Sequence, residues 1–411
     1  MKVLLSAYSC EPGRGSEPGV GWNMAQAIAK HHSVWVLTRP DESKNQIEAE
    51  LAVNPNPNLK FVYFTLPFWR DSLRLGQAGA MQLHYYLWQI QAYWIARKLH
   101  QEIGFDVIHH ITFVRYSTPS LLSLLPVPFI WGPVGGGESA PEAFWQDFEP
   151  KARLYEVVRL LAHRLGEFDP LVRLTARKSQ IVYATTQDTA RRLKKVGVKN
   201  PIIYAESGLS EAEIAELNQF SLEANPKPLR LISMGRLLHW KGFHLALRAF
   251  AQTHLDDLEY WIVGDGPEGE HLKRLSQDLK VADQVKFWGR LPRSETLAKL
   301  SECHILVHPS LHDSGGWVCL EAMAAGRPVI CLDLGGPATQ ITHETGVKVI
   351  AQNPEQAVED MAKAVFQLAS DHAQRLQMGQ AGRALIRDRY LWCSKGRFFS
   401  EEYNRIKTLS S

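Results

Sequence analysis

The chain has 411 residues, 45% of them hydrophobic and 22% charged, with a formal net charge of +3. A length of this order holds two or three domains of ordinary size, enough for two independent cores. So small a charge, with no basic run interleaved with aromatics, argues against nucleic acid as a partner.

Five cysteines, Cys10, Cys303, Cys319, Cys331 and Cys393, form no CxxC pair. An odd count without paired spacing in a chain of this size favours a reducing compartment. No apolar stretch approaches the ~20 residues that span a bilayer. The N-terminal MKVLLSAYSC meets the polar EPGRGSEPG at once, so it reads as a first buried strand and not as a signal peptide. The expected location is cytoplasmic, with a membrane-peripheral one as the alternative.

In chain order, short apolar strands alternate with helical patterns, which predicts an α/β fold with parallel sheets and helices on both faces. Strands are expected at 2–8, 33–38, 60–66, 106–111, 128–131, 180–184 and 201–204. The pattern restarts at 229–234 and continues at 259–263, 284–288, 304–307, 328–332 and 347–350. A polar stretch, 206–228, ends in NPKP between the two runs and places a domain boundary there. Two Rossmann-like domains facing a cleft account for the pattern.

The first strand is followed by CEPGRGSEPGVGW, with Gly13, Gly15, Gly19 and Gly21, before Val20, Met24, Ala27 and Ile28 recur at helical spacing. Such a strand-to-helix turn lets backbone amides approach an anion; the plain alternative is a tight turn and nothing more. An NAD fingerprint fits less well, because a clean GxGxxG is missing and Thr38-Arg39-Pro40 stands where an acid would end the second strand. The fourth strand ends in His109 and His110, whose side chains alternate, so that one of them faces the ligand side. After the fifth strand come Gly135, Gly136, Gly137 and Glu138, either a flexible acceptor-side loop or a tight crossover turn.

The second run opens with GRLLHWKG, which sets Arg236 and Lys241 beyond its first strand and ahead of a helix. Two cations there suit a diphosphate. VGDGPE (263–268) and WGRLP (288–292) end the next two strands. The most informative segment is 307–329, VHPSLHDSGGWVCLEAMAAGRPV, in which Asp313 and Glu321 bracket a glycine turn and a helix start. Turn amides suit phosphate oxygens, and a carboxylate on the helix suits sugar or ribose hydroxyls. LGGP (334–337) follows.

Taken in this order, the motifs resemble those of glycosyltransferase family 4, retaining enzymes of GT-B fold, over most of the chain. The resemblance implies a GT-B architecture, two Rossmann-like domains with parallel sheets facing an interdomain cleft. It implies an acceptor-side domain of 1–207 plus a returning C-terminal helix in 390–411, and a sugar-nucleotide domain of 208–389. Arg236 and Lys241 would then clamp the donor diphosphate, with Gly264, Arg290, Leu291, Gly315, Gly316 and Glu321 around nucleotide and sugar. The loop holding Gly19 and Gly21 would lie near the diphosphate, and Gly135, Gly136, Gly137 and Glu138 on the acceptor side. Family members carry an active-site histidine after the fourth strand, commonly as HxH; this chain has HH, with His109 favoured and His110 the alternative. The first of the family's two bracketing glutamates is here Asp313, one methylene shorter.

The reaction so implied is retaining transfer of a hexosyl group from a nucleoside-diphosphate sugar, a UDP-sugar favoured, to a hydroxyl of a glycan, lipid-linked or small-molecule acceptor. No cofactor is expected. No metal is expected either, since the sequence has no D-x-D and cationic side chains would take the metal's place. The alternatives are a catalytically silent sugar-nucleotide-binding partner and, with less support, an NAD-dependent oxidoreductase. The aromatic-rich stretch 70–100 and the basic stretch 151–178 fit an acceptor groove or a peripheral membrane contact, though packing on the sheet is the favoured reading.

Overall fold

A computed structural model describes residues 1–40, 43–67, 69, 78–220 and 228–410. Its elements are β1 (Lys2–Ala7), α1 (Ser16–Ala29), β2 (Ser33–Thr38), α2 (Lys44–Val53), β3 (Leu59–Tyr63), α3 (Ala78–Ile103), β4 (Val107–Thr112), β5 (Phe129–Val134), α4 (Pro150–Phe168), α5 (Pro170–Lys178), β6 (Ile181–Ala184), α6 (Gln187–Lys195), β7 (Ile202–Ile203) and α7 (Glu211–Asn218). There follow β8 (Leu229–Met234), α8 (Phe243–Gln252), β9 (Leu258–Val263), α9 (Gly269–Asp278), β10 (Val285–Gly289), α10 (Arg293–Glu302), β11 (Ile305–His308), α11 (Trp317–Ala324), β12 (Val329–Leu332), α12 (Gly335–Gln340), β13 (Gly346–Val349), α13 (Pro354–Ser370), α14 (His372–Leu385) and α15 (Trp392–Ser410).

The chain forms two compact units. The first comprises Met1–Gly137, Leu161–Ser207 and Trp392–Ser411, and the second Glu138–Leu160 and Gly208–Leu391. In the first, the described strands form a parallel sheet in the order β3-β2-β1-β4-β5-β6-β7; in the second, the order is β10-β9-β8-β11-β12-β13. Both orders run outward from the first strand, then restart on its other side. The reversal falls between β1 and β4 and between β8 and β11, where open parallel sheets bind ligands at their carboxyl ends.

Burial explains why these segments are strands. β4 and β5 are buried at every residue, as parallel strands covered on both faces must be. The first core joins Leu4, Ile108, Trp131 and Ala184 of the sheet to Tyr85 and Trp88 of α3. Helix starts are set by capping side chains: Asp169 accepts from the amides of Leu171 and Val172, and Ser210 with Glu213 forms a capping box at α7. In α15, Phe399 and Tyr403 are buried and Gly396 lies against the backbone of Ala27 in α1.

The division differs from the expected boundaries in two places: 138–160 and 390–391, both assigned by sequence to the first domain, join the second unit. Phe144 and Phe148 belong to the second core, and Asp147 accepts a 2.8 Å bond from Arg248 of α8. Nothing in the composition of 138–160 marks the crossing. Within the stretch 206–228, α7 takes up 211–218 and 221–227 lie outside the described residues, as do 70–77 of the aromatic stretch. Of the aromatics in its described part, Tyr85 and Trp88 are core residues, whereas Trp94 is 59% exposed. No helix among the described residues is long and apolar enough to cross a membrane.

Candidate functional site

In the second unit, three neighbouring strands, β8, β9 and β10, run into glycines with positive φ: Gly235 at 147°, Gly264 at 140° and Gly289 at 66°. A Cβ on Gly264 would stand 1.8 Å from the carbonyl oxygen of Gly235, so only glycine lets these strand ends lie so close. Arg236 follows at once and is exposed, and among the described residues it has no ion-pair partner. Arg290, beyond β10, is exposed and Leu291 half-buried.

Lys241 lies before α8, and Gly242 turns the chain with φ 66°; a Cβ there would come within 2.1 Å of the Pro309 carbonyl oxygen. That close approach sets the loop after β8 against the loop after β11. The result is an ion pair: Lys241 Nζ stands 2.5 Å from Asp313 Oδ2. The same oxygen is 3.2 Å from His308 Nε2, while Oδ1 accepts from the amides of Gly315 and Gly316 at 3.3 and 3.2 Å. Burial raises the Asp313 carboxyl, but the Lys241 charge and the His308 hydrogen bond outweigh it and hold the group well below the usual carboxylate range. Asp313 is therefore an anion fixed against a lysine and the start of α11. Gly335 and Gly336 close the loop, the Gly336 amide donating to the Asp313 carbonyl at 2.7 Å. Gln340 donates to the Gly315 carbonyl at 2.6 Å.

Glu321 lies on α11 and is buried, which raises its pKa. Its Oε1 takes a 2.6 Å bond from Arg293 Nη1, and Arg293 Nη2 reaches Glu213 Oε1 at 2.8 Å. Arg293 escaped the sequence reading although it stands one residue beyond WGRLP. His308, three residues ahead of Leu311-His312-Asp313, was missed as well. Both sit beside residues that were singled out, and proximity to a carboxylate is visible only after folding.

In the first unit, β4 carries a bulge: Ser6 pairs with His110 and Ala7 with Thr112. Both histidines are fully buried. His109 faces α15, with Nδ1 at 2.7 Å from Tyr403 Oη and Nε2 at 2.6 Å from the Gly132 carbonyl. Both of its nitrogens are satisfied inside the core, which corrects the preference for His109 as the ligand-facing residue. His110 points the other way; Nε2 contacts Tyr85 Oη at 3.1 Å and the Thr112 carbonyl at 3.0 Å, and Nδ1 is buried without a partner. Next to it Phe113 adopts φ 58°, a conformation costly for a bulky side chain. Its amide donates to Glu17 Oε1 at 2.6 Å.

Of the glycine loops, Gly19 and Gly21 depart from their expected place in the turn, whereas Gly135–Gly137 take one of their two expected forms. Gly19 and Gly21 lie within α1, beyond the strand-to-helix turn, and a Cβ on either would strike a backbone carbonyl, Arg14 at 2.0 Å or Ser9 at 2.3 Å. They let α1 pack closely on the chain before it. Gly135 pairs with the Val114–Tyr116 backbone, and Gly137 donates to Thr189 Oγ1 at 3.0 Å and accepts from Arg192 Nε at 2.8 Å. Gly136, φ 80°, sits against the Arg115 side chain. This is a tight crossover turn. Glu138 begins the second unit, buried, with its carbonyl bound by Arg159 at 2.6 Å.

Comparison with known proteins agrees with this arrangement. Residues 215–385 match the family model of glycosyl transferases group 1. The lipopolysaccharide core biosynthesis glycosyltransferase LpsD of Rhizobium meliloti is 28% identical over 211 residues, 51% of this chain and 60% of that protein. The chain thus spans less than two thirds of that relative. The GDP-mannose-dependent alpha-(1-6)-phosphatidylinositol monomannoside mannosyltransferase of Mycobacterium tuberculosis is 26% identical over 324 residues, 70% of this chain and 80% of that one. Among solved structures, sucrose-phosphate synthase from Thermosynechococcus elongatus is similar with a TM-score of 0.62 at 18% identity, each chain fully covered. Anabaena HepE, solved with UDP and glucose, has a TM-score of 0.60 at 17% identity, covering 98% of this chain and all of that one. Residues 215–385 of the second unit thus match the group 1 glycosyltransferases, and the chain as a whole has the GT-B fold of two parallel-sheet α/β units.

Proposed function

We propose that the chain transfers a hexosyl group from a nucleoside-diphosphate sugar to an acceptor hydroxyl, with retention at the anomeric carbon and without a metal. The carrying observation is the Lys241–Asp313 pair, set at the reversal of the second sheet beside the Gly315 and Gly316 amides, with exposed Arg236 just beyond β8. Glycosyl transfer builds positive charge on the anomeric carbon and negative charge on the departing diphosphate, so a leaving-group clamp is the main catalytic need. Arg236 and Lys241 supply it, and Asp313 keeps Lys241 aimed. As the bond from the anomeric carbon to phosphate breaks, the acceptor oxygen bonds to the same face and its proton passes to the leaving phosphate. Glu321 binds ribose hydroxyls, oriented by Arg293.

Relatives of known donor differ, one named as GDP-mannose-dependent and a fold neighbour solved with UDP and glucose. A UDP-sugar remains the favoured donor, and a glycan, lipid-linked or small-molecule hydroxyl the acceptor. The test is release of free nucleoside diphosphate from UDP-, GDP- and ADP-sugars, with and without NAD. Turnover of a nucleotide sugar supports the assignment; binding without release, or redox change of NAD, removes it. Activity is expected to persist in excess EDTA, and complete loss restored by Mg²⁺ or Mn²⁺ would overturn the metal-free clamp.

A further inference from the structure

A soluble helix ordinarily turns its apolar stripe inward and its charges outward. The first half of α4 departs from this: Lys151 and Arg153 face outward, but aliphatic side chains do so too and one carboxylate is hidden. Leu154, Val157 and Val158 are 64%, 42% and 56% exposed, while Glu156 is 0% exposed. Its Oε1 lies 3.0 Å from His239 Nε2 and 3.6 Å from His312 Nε2, and its Oε2 is buried without a partner among the described residues. One turn on, Arg159 Nη1 stands 3.0 Å from His312 Nδ1 and 2.7 Å from its Nε2, so the same histidine lies between the guanidinium and the carboxylate. Three rings then stack in sequence: Tyr155 on Trp240 at 5.3 Å and Trp240 on His312 at 5.1 Å.

The two histidines flank the ion pair. His239 precedes Lys241 by two residues, and His312 immediately precedes Asp313. Their loops are further joined by the Leu311 amide, which donates to the Trp240 carbonyl at 2.8 Å. Burying a carboxylate is unfavourable unless it is paired. A helix that hides one and leaves three aliphatic side chains in water holds it there for the contacts it makes.

We propose that Glu156 is a positioning residue of the diphosphate clamp: by holding His239 and His312 together from within, it sets the two loops that bring Lys241 onto Asp313. It touches no donor atom itself, and the inference rests on the donor-site reading above. Burial raises the Glu156 carboxyl, yet the hydrogen bond from His239, the neighbouring His312 and the Arg159 charge bring it down to about 2. Burial lowers His312 to about 4. Near neutral pH the centre is thus one carboxylate facing a neutral His312.

The full chain and its variants are titrated with UDP, GDP and ADP by calorimetry. At least one is expected to bind the unchanged protein, Glu156→Gln to weaken that binding about tenfold, and Leu154→Ser on the outward face to leave it unaltered. In a Lys241→Ala background, Glu156→Gln is expected to cost less than about twofold more, because both act through one clamp. A purely structural role would give the same fractional loss in both backgrounds. That result, or unchanged binding in Glu156→Gln, overturns the proposal and leaves the donor site standing. Absence of binding by the unchanged protein overturns the donor-site reading and this inference with it. Should Glu156→Gln lower the melting temperature sharply, His239→Gln must show the same non-additivity with Lys241→Ala, and additive loss there overturns the proposal equally.

Discussion

Both sheets reverse direction after their first strand, yet the two reversals are furnished in opposite ways. In and around β1, β4 and β5, the polar groups are largely consumed by the protein itself: His109 by Tyr403 and Gly132, Gly137 by Thr189 and Arg192, Glu17 by the Phe113 amide. Beyond β8 and β11, a lysine, an aspartate and two turn amides converge, and Arg236, just past β8, is exposed with no ion-pair partner among the described residues. One topology thus supports a buried, self-satisfied core in the first unit and a paired charge cluster with an exposed arginine past β8 in the second. Strand order alone decides where a ligand can sit; the side chains at the strand ends decide whether it is held by charge.

The sharpest way to break this contrast is to remove what satisfies the first unit. Truncation after Leu391 deletes α15, and with it Phe399 and Tyr403, the hydroxyl on His109, and the Lys395 bond to the Ala205 carbonyl at 2.6 Å. Each buried aromatic contributes roughly 1.5–3 kcal/mol, so the helix carries a large share of the 5–15 kcal/mol typical of a domain. The truncated chain is expected to lose the cooperative unfolding of the first unit. A calorimetric melt unchanged by truncation would show that α15 is not part of that core.

Next in size is the clamp. Replacing Lys241 or Arg236 with Ala is expected to lower turnover by about 10² or more, the scale of losing one charge partner of a transition state. The two differ in a second readout. Lys241→Ala leaves Asp313 with His308 and the turn amides only, so it should also lower the melting temperature, whereas exposed Arg236→Ala should not. Near-normal turnover in both variants would empty the second reversal of its function.

What could be read from sequence follows the same division. Period and punctuation located the strands, because parallel strands buried on both faces must be short, apolar and bounded by turns: 229–234 is β8 to the residue. Lys241 and Asp313 were legible as types at strand ends, but their pairing depends on Gly242 approaching Pro309, 67 residues away in sequence. His109 was misread because the alternation of a strand says that neighbours face opposite sides without saying which side α15 will cover. Glu156 was illegible for a related reason: a carboxylate amid Leu154, Val157 and Val158 looks like the solvent face of a helix, and only its two histidine partners reveal that it is buried.

The smallest predicted effect tests the buried histidines. Burial lowers His109 to about 3, against the Gly132 hydrogen bond, and lowers His110 to about 4. An unfolded histidine titrates near 6.5. Above that value both states are neutral and the groups add no pH dependence. As pH falls below it the unfolded chain binds protons that the folded one refuses, so stability is lost down to the folded values, by about 1.4 kcal/mol per pH unit for each histidine. Buried His244, lowered to about 3, acts in the same direction, so the total slope does not isolate the first unit. His109→Gln does, since it removes one titrating group while an amide can still meet Tyr403. Urea midpoints of the unchanged chain should fall between pH 7 and pH 5, and fall less steeply in His109→Gln. Asp313, held below the usual carboxylate range, stays ionised throughout that window, leaving the charge of the Lys241–Asp313 pair unaltered there. Equal slopes in the two proteins would mean that His109 takes up its proton without leaving the fold, and that the first reversal is less closed than its hydrogen bonds imply.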